Sequence, residues 1–441
     1  MANKRKIIND PVFGFLSIPN ELIYDVLQHP YVQRLNRIRQ LGLSYLVYPG
    51  AMHSRFGHSI GAMHLMQEAI QSLRLKGVDI TEHEETSAMI AILLHDIGHG
   101  PFSHVLEHTL VEGVTHEDIS LLMMERINMD LSSGRAADRY AERPFHCKTA
   151  NAERAKTIGP LDTAISIFKN EYPKHFLHQL ISSQLDVDRM DYLCRDSFFT
   201  GVQEGRVASE RLLKMLDVRD DRLVVQIKGI YSVEKFLVAR RLMYWQVYLH
   251  KTSVAAEQHL IKILSRAKEL ARKPSAVSCQ PSELFCSPAL GYFLYKPVTK
   301  DMFSPTSEAL DQYALLDDND VLSAIKTWIS GPDKVLSALS RSFINRRLFR
   351  GELLSEPLTD EQKNALNKQY SQALGISEKE ASYCWSEHVS TSNTYSEKAD
   401  SIDILYSDGT IRDISEASEI LDLQALTRKP TKRYLFRYRL D

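Results

Sequence analysis

Apolar residues recur at three- and four-residue spacing over long segments of this chain, which is the pattern of amphipathic α-helices. The spacing predicts helices over residues 65–75, 85–94, 118–127, 176–195 and 233–270. The alternation typical of strands is sparse, and it occurs at residues 222–227, 402–414 and 434–440. The pattern therefore predicts a mainly α-helical protein whose strands lie toward the C-terminus.

A break in the helical pattern falls at residues 272–282, where RKPSAVSCQPS combines prolines with small polar residues. A chain of 441 residues with 44% hydrophobic residues is long enough for one large domain and a smaller one. We predict a helical catalytic core over residues 1–271 and a smaller α+β domain over residues 272–441. We expect the second domain to serve oligomerisation or regulation.

Charge and cysteine content exclude several classes of protein. Lys and Arg total 54 against 56 Asp and Glu, so the chain lacks the basic excess of a protein that coats nucleic acid. Five cysteines without a CxxC pair fit reduced thiols in the cytosol better than a disulfide scaffold. No apolar run approaches membrane-spanning length, and no signal peptide is recognisable. We expect a cytoplasmic protein with no membrane partner and without nucleic acid as its main partner.

The segment LLHDIGHGPFSHVL contains the adjacent residues His95 and Asp96 at the end of an apolar run. An imidazole beside a carboxylate suits a divalent metal ion, which needs further ligands from elsewhere. His58, which lies upstream in HSRFGH, and Asp188, which lies downstream in LDVDRMDYLCRD, complete an ordered set. Two imidazoles and two carboxylates on separate helices could close around one ion and leave positions open for water and substrate.

Each of these residues also has a simpler interpretation. A lone histidine is more often structural than a ligand. On a helix, one polar face carries Asp188, Asp191, Tyr192, Arg195 and Asp196, and such a face is usually solvated. The four residues therefore indicate a metal site as a set and not one by one.

Seven short motifs follow one another from about Asn9 to Lys251. They read NDPVFG, QRLNRIRQLG, YPGAMHSRFGHSIG, LLHDIGHGPFSH, THED, LDVDRMDYLCRD and RRLMYWQVYLHK. In this order they resemble the HD-domain phosphohydrolase superfamily, and more narrowly its dGTPase-like deoxynucleoside triphosphate triphosphohydrolase branch. The resemblance implies a helical HD fold and a hydrolase that converts a dNTP and water to a deoxynucleoside and inorganic triphosphate.

The same resemblance implies a role for individual residues. One divalent ion, which could be Mn, Mg, Fe, Zn or Ni, would be bound by His58, His95, Asp96 and Asp188. Proton transfer or attack at phosphorus is implied for His104, with His99, His116 and Glu107 nearby. Phosphate oxygens would be held by Arg55, Arg189 and Arg240.

The nucleoside would contact a second set of residues. By resemblance, Gln40 and Leu41 lie near the sugar, and Tyr192 and Asp196 close over it. Tyr248 would pack on the deoxyribose and leave no room for a 2′-hydroxyl. Tyr244 stands where the vertebrate members have histidine. Without the other motifs, these aromatic residues would be interpreted as core.

Regulation by a bound nucleotide is a further implication of the resemblance, because members of this branch bind an activator between subunits. We therefore expect a homo-oligomer, either a dimer or a tetramer, with a nucleotide activator at a subunit interface. Gln28 and Asn36 replace the acid and the arginine that recognise guanine in the vertebrate members. A regulatory phosphate site is also compatible with the basic residues Arg341, Arg346, Arg347 and Arg350, which could equally form a solvated helix face.

Two other functions stay open at this point. One is a different HD-type phosphohydrolase or phosphodiesterase acting on a nucleoside monophosphate, a cyclic nucleotide or guanosine tetraphosphate. The other is a nucleotide-sensing or nucleic-acid-binding protein that keeps the HD fold as a scaffold. All four expected metal ligands are present, which argues against an inactive scaffold.

Overall fold

The computed structural model describes residues 6–102, 105, 109–111, 113–133, 159–273, 284–391, 401–420 and 431–440. The helices of the first 273 residues are α1 Glu21–Gln28, α2 Pro30–Gln33, α3 Arg55–Leu75, α4 Glu82–Leu94, α5 His116–Ser132, α6 Asp162–Phe168, α7 His175–Gln179, α8 Val187–Thr200, α9 Ser209–Met215, α10 Ile230–Met243 and α11 Lys251–Arg272. The helices that follow are α12 Pro288–Tyr295, α13 Glu308–Leu315, α14 Asp318–Trp328, α15 Lys334–Ile344, α16 Asp360–Leu374, α17 Glu378–Ala381 and α18 Ile414–Ala417. The prediction of a mainly α-helical fold is confirmed.

The strands form three small sheets within the described residues. They are β1 Lys6–Asp10, β2 Gly14–Ile18, β3 Leu216–Arg219, β4 Arg222–Gln226, β5 Arg350–Leu354, β6 Trp385–Thr391, β7 Asp403–Leu405, β8 Ile411–Asp413 and β9 Thr431–Arg437. Strands β1 and β2 pair as an antiparallel hairpin, whereas the other sheets have the strand orders β3-β4-β7-β8 and β5-β9-β6. Among the strand pairs of the described residues, only β4 and β7 pair in parallel.

Side-chain caps fix the first residues of the helices that carry the site. The hydroxyl of Ser54 accepts a hydrogen bond from the backbone N–H of Gly57 and begins α3. Thr81 and Thr115 form capping boxes at the starts of α4 and α5. Asp186 caps α8, where its Oδ1 accepts from the backbone N–H of Arg189 at 2.7 Å.

Two of the predicted helices are wrong in length. The segment 176–195 contains two helices, α7 and α8, because the Asp186 cap begins a new helix inside it. The segment 233–270 contains α10, a π-helical turn at Tyr244–Tyr248, and α11, which begins after the His250 cap. Apolar spacing continues across both breaks, so periodicity alone did not reveal them. The N-terminal hairpin β1–β2 also contradicts the prediction that strands lie toward the C-terminus.

The helix α3 is the central element around which the site forms. It packs against α4 on one side and against α8 on the other. Its residues Met66, Ala69 and Leu73 are fully buried in the main hydrophobic core. Helix α3, packed against both α4 and α8, therefore brings together segments that are far apart in the sequence.

The predicted division at residues 271 and 272 is not tested and stays a prediction. Residues from both sides of it contribute to the main core, for example Leu264 and Phe293. The four-stranded sheet likewise joins β4 to β7. The proposed linker overlaps residues 274–283, which lie outside the described residues. Among the helices that are described, none combines the length and hydropathy needed to cross a membrane.

Two leucines at the end of α3 provide a matched test of this packing. Leu73 is fully buried, whereas Leu75 is 89% exposed. We expect Leu73→Ala to lower the free energy of unfolding by about 2–5 kcal/mol, because it leaves a cavity in the core. The Leu75→Ala control should change it by less than about 0.5 kcal/mol. Urea unfolding followed by circular dichroism measures both, and equal effects would contradict the described packing.

Candidate metal centre

The four residues expected to bind a metal ion lie together at the meeting point of α3, α4 and α8. Ligand atoms of His58, His95 and Asp188 all lie within 4.8 Å of one another. The Oδ1 atom of Asp188 is 3.1 Å from His58 Nε2 and 3.3 Å from His95 Nε2. Asp96 lies beside them, with Oδ1 3.3 Å from His95 Nε2 and Oδ2 3.8 Å from His58 Nε2.

Hydrogen bonds on the far side of each imidazole fix the nitrogen that faces this group. His95 Nδ1 is 2.7 Å from the carbonyl oxygen of Ile92, which can only accept, so Nδ1 must carry the proton. His58 Nδ1 lies 2.7 Å from Asp191 Oδ2 and donates in the same way. Neither Nε2 atom has a hydrogen-bond partner among the described residues, although both are buried.

This donor set fits a divalent cation. Two unprotonated imidazole nitrogens and two carboxylates are ligands that Mn²⁺, Fe²⁺, Zn²⁺ and Ni²⁺ accept. Buried polar atoms without partners are rare in proteins, and a bound ion would satisfy both Nε2 atoms at once. The ligand roles of these residues stay a prediction, and the arrangement does not select one metal.

The electrostatics of the group is dominated by its carboxylates. Burial disfavours the charged form of His58, but the nearby carboxylates of Asp188 and Asp191 outweigh burial and raise its pKa to about 10. Burial also opposes ionisation of Asp188, yet His95 and His58 hold its pKa below the usual value. The pKa of Asp96 is likewise well below its usual value, since His95, His99 and Arg55 outweigh burial. The carboxylates are therefore ionised and require positive charge beside them.

A buried ion-pair chain holds the first histidine in place. Arg195 donates to Asp191, the carboxylate that orients His58, with Nη2 2.8 Å from Oδ1. Its Nη1 donates at 2.7 Å to Asp10 at the end of β1. Asp191 and Arg195 are 0% and 1% exposed, so this part of the α8 polar face is buried and not solvated. The N-terminal hairpin is thus connected to the metal group through Arg195.

The residues expected to handle protons are described only in part. His99 is buried, its Nε2 lies 3.4 Å from Asp96 Oδ1, and its ring stacks on His116 with centroids 3.9 Å apart. Burial and the nearby guanidinium of Arg55 lower the pKa of His99 to about 3, so its imidazole is neutral near pH 7. His104 and Glu107 lie outside the described residues.

A second polar cluster lies where the sugar was expected. Asp196 accepts two hydrogen bonds, from the hydroxyl of Tyr248 at 2.8 Å and from His53 Nε2 at 2.8 Å. The rings of Tyr192 and Tyr244 meet the ring of Tyr248 edge-on, at 5.9 Å and 5.2 Å. Tyr244 and Tyr248 belong to the π-helical turn, a feature that is frequent at functional sites.

The remaining predicted residues lie around this cluster or beside the metal group. The backbone N–H of Gln40 donates to the carbonyl of His53, and Leu41 packs at the edge of the core. Arg240 Nη1 donates to Gln184 at 3.1 Å, and Arg189 Nη1 lies 3.8 Å from Asp188 Oδ2. Arg55 Nη1 donates to Asp96 Oδ2 at 2.7 Å.

The three arginines that are predicted to bind phosphate share one property. Each has a buried Nε atom without a hydrogen-bond partner among the described residues: Arg55, Arg189 and Arg240. The Oε1 atom of Gln40 is also buried and has no hydrogen-bond partner among the described residues. An unsatisfied buried donor costs about 1–3 kcal/mol, so these groups point to a ligand.

Sequence reasoning missed two residues of the site. His53, set aside in favour of the second histidine of HSRFGH, bonds Asp196 and stacks on Phe199 at 4.5 Å. Nothing in the sequence marks that contact, which spans 143 positions. Asp191 was noticed only as part of a polar face, although its four-residue spacing from Arg195 is a usable signal for an ion pair.

Comparisons with known proteins identify the family of this chain. The HD domain family matches residues 55–196, and the HD associated region matches residues 207–277. A phosphohydrolase from Bacteroides thetaiotaomicron is 52% identical, with a TM-score of 0.89 over 99% of this chain and 100% of its own. The Bacillus subtilis protein YwfO is 35% identical over 352 residues, which are 79% of this chain and 72% of YwfO. Human deoxynucleoside triphosphate triphosphohydrolase SAMHD1 is 29% identical over 266 residues, or 56% of this chain.

The fold and the relatives together define the class of protein. The chain belongs to the HD-domain family of phosphohydrolases. It spans 42% of the length of human SAMHD1 and 47% of that of the Dictyostelium discoideum SAMHD1 homologue. HD domains bind divalent metal ions, and the His and Asp side chains of this site are suited to one.

Substitutions at two glycines of α3 test whether the Asp191–Arg195 ion pair positions the imidazole of His58. A Cβ at Gly61 would lie 2.0 Å from Asp191 Oδ1 and 2.1 Å from Arg195 Nη2, whereas one at Gly57 would lie 3.6 Å from the nearest atom. We expect Gly61→Ala to weaken Mn²⁺ binding about 10–100-fold, since it displaces the carboxylate that orients His58. Gly57→Ala should stay close to the wild type.

Isothermal titration of Mn²⁺ into metal-stripped protein measures both variants, with circular dichroism as the check that each is folded. If folded Gly61→Ala bound Mn²⁺ as tightly as Gly57→Ala, the positioning role of the Asp191–Arg195 pair would be refuted.

Proposed function

We propose that this protein is a metal-dependent deoxynucleoside triphosphate triphosphohydrolase, which converts a dNTP and water to a deoxynucleoside and inorganic triphosphate. The observation that carries the proposal is a set of three arginines, Arg55, Arg189 and Arg240, whose buried Nε atoms donate no hydrogen bond to the described residues. Arg55 contacts the metal group at Asp96. Arg189 lies near both Asp188 and Tyr192, whereas Arg240 lies near Tyr192. A ligand in which a phosphate chain is joined to a sugar would match this arrangement of metal group, arginines and tyrosines.

The metal ligands would be His58, His95, Asp96 and Asp188. A bound divalent ion supplies Lewis-acid activation of a phosphoryl oxygen and lowers the pKa of water. The chain itself contributes fixed orientation, because Asp191 and the Ile92 carbonyl hold the two imidazoles from behind.

The arginines would bind the phosphate chain. Arg55 is 6% exposed and is already oriented by Asp96, so little side-chain entropy is lost when it contacts a phosphate. Arg189 lies 3.5 Å from Asp186 Oδ2, which holds its guanidinium near the start of α8. Buried guanidinium groups beside the phosphate chain would stabilise the negative charge that develops on its oxygens when water attacks the α-phosphorus.

The sugar would lie against Tyr248, with Asp196 as its polar partner. The carboxylate of Asp196 is fixed by His53 and Tyr248 from two sides, which suits it to accept a hydrogen bond from a sugar hydroxyl. The edge-on rings of Tyr192 and Tyr244 pack the Tyr248 ring in place. A fixed ring beside the 2′ carbon would exclude a hydroxyl there and select deoxynucleotides.

Proton transfer would fall to a histidine of the segment that follows Asp96. With a pKa of about 3, His99 is a weak base near pH 7, so it would orient the reactants as a neutral hydrogen-bonding group, and its stack with His116 restricts its ring. We propose His104 as the donor to the 5′-oxygen of the leaving deoxynucleoside, with Glu107 in support. A homo-oligomer, a nucleotide activator at a subunit interface and a cytoplasmic location stay predictions.

Product identification separates this reaction from the other HD chemistries. Purified protein is incubated with each dNTP and either Mn²⁺ or Mg²⁺, with and without GTP or a second dNTP as activator. We expect a deoxynucleoside and inorganic triphosphate in equal amounts, resolved by ion-exchange chromatography. Free phosphate, pyrophosphate or a dNMP as the product would contradict the proposal. Turnover only of a monophosphate, a cyclic nucleotide or guanosine tetraphosphate would favour another HD phosphohydrolase.

Two substitutions of Tyr248 test the basis of sugar selection. Tyr248→Phe keeps the ring but removes the hydrogen bond to Asp196, whereas Tyr248→Ala removes both. We expect Ala to lower the ratio of kcat/KM for a dNTP over the matching NTP by at least ~10-fold, and Phe to leave it nearly unchanged. Steady-state kinetics with one dNTP and NTP pair measures this, and an unchanged ratio in Tyr248→Ala would rule out steric exclusion by the ring.

A further inference from the structure

A cleft with a volume of about 290 Å³ lies in the C-terminal part of the chain, outside the metal group. It is formed by the end of α15, the segment after it, the end of α16 and the tail that follows β9. Its lining residues are Ala338, Arg341, Ser342, Asn345, Arg347, Ala373, Leu374, Tyr438, Arg439 and Leu440. The lining thus contains three arginines and no described acidic residue.

Two nearby arginines have a carboxylate partner, whereas the arginines of the cleft have none among the described residues. In the same region Arg433 pairs with Glu387 at 2.7 Å, and Arg437 pairs with Glu352. Among the described residues, no ion pair is formed by Arg341, Arg347 or Arg439. Positive charge is therefore concentrated at this cleft in a chain whose net charge is −2.

The basic cluster of the sequence is divided between different faces. Arg346 turns away from the cleft, and its Nε donates to the carbonyl of Leu46 at 2.9 Å. Arg350 begins β5 and does not line the cleft. The arginines that do line it come from two segments about 90 residues apart, so a solvated face of one helix does not account for them.

The tail that supplies Arg439 is held in a defined position. The backbone N–H of Tyr438 donates to the carbonyl of Cys384 at 2.7 Å, and the hydroxyl of Tyr370 donates to the carbonyl of Tyr438 at 2.8 Å. Arg347 and Arg341 lie close enough to Tyr438 to lower its pKa, although burial outweighs them and the pKa is raised. The hydroxyl of Tyr438 adds a neutral donor to the charged ones, whereas that of Ser342 already donates to the carbonyl of Arg347.

We infer that this cleft is a binding site for a polyphosphate anion, separate from the catalytic site. Several guanidinium groups facing one cavity recognise phosphoryl oxygens through charge-assisted hydrogen bonds. The side chains of Leu374 and Leu440 complete the lining of the cleft. The cleft takes the phosphate chain of either inorganic triphosphate or a nucleotide. The inference does not depend on which reaction the metal group catalyses.

Calorimetric titration of the full-length protein in EDTA tests this site. The probes are sodium tripolyphosphate and a dNTP with an α,β-imido bridge, and EDTA withholds the divalent ion that hydrolysis would need. We expect wild type to bind tripolyphosphate at the cleft in addition to any binding near Arg55. The Arg347→Ala/Arg439→Ala variant should lose this binding class or weaken it at least ~10-fold, the loss expected for charge-assisted hydrogen bonds. Arg350→Ala, a nearby exposed arginine outside the cleft, is the matched control and should bind like wild type.

The two probes identify the source of the phosphate chain. Equal affinity for both indicates that the phosphates alone are recognised, and tighter binding of the imido nucleotide indicates that the nucleoside also contacts the cleft. Arg439→Ala alone, which changes an exposed tail residue, decides the question if the double variant does not fold. Unchanged tripolyphosphate binding in the double variant, a loss no larger than in Arg350→Ala, or binding of single-stranded DNA but not of tripolyphosphate would overturn the inference.

Discussion

The charge balance among Asp96, Asp188 and the two imidazoles His58 and His95 is the interaction on which the rest of this structure depends. Two ionised carboxylates lie within 3.8 Å of imidazole nitrogens at the centre of a helical core. Isolated charges in such a place are strongly unfavourable, so a positive partner is required. In the protein alone a proton on His58 partly provides it, as the raised pKa of that residue indicates. A divalent ion provides it more completely and also satisfies both Nε2 atoms.

The surrounding fold keeps these four side chains convergent. Each ligand lies near a helix end or on a helix fixed by a side-chain cap: Ser54 before α3, Thr81 before α4 and Asp186 before α8. Behind them, Arg195 connects Asp191 to Asp10 and so ties the N-terminal hairpin to the site. On the other side Asp196, His53 and Tyr248 form a separate fixed cluster. A phosphate-bearing ligand that spans the two clusters would meet buried arginine donors between them.

Much of this could be predicted from the sequence, but not all of it. Helical periodicity gave the fold class, and the spacing of His58, His95-Asp96 and Asp188 gave the group that the structure brings together. The same periodicity did not predict the helix start at the Asp186 cap or the π-helical turn. Apolar spacing indicates which face of a segment is buried, and it does not indicate a local break in the backbone. The hairpin was missed because its five-residue strands alternate only partly between exposed and buried positions. His53 was missed because its partner is distant in sequence, and His104 and Glu107 lie outside the described residues.

The most direct test of the account is to locate the metal ion itself. A crystal of the protein grown with Mn²⁺ and measured near the manganese absorption edge yields an anomalous difference map. The account predicts one strong peak about 2.0–2.3 Å from His58 Nε2, His95 Nε2 and an oxygen of both Asp96 and Asp188, as first-row metal ligands require. A map with no peak among these four side chains, or with its main peak elsewhere on the protein, would contradict it.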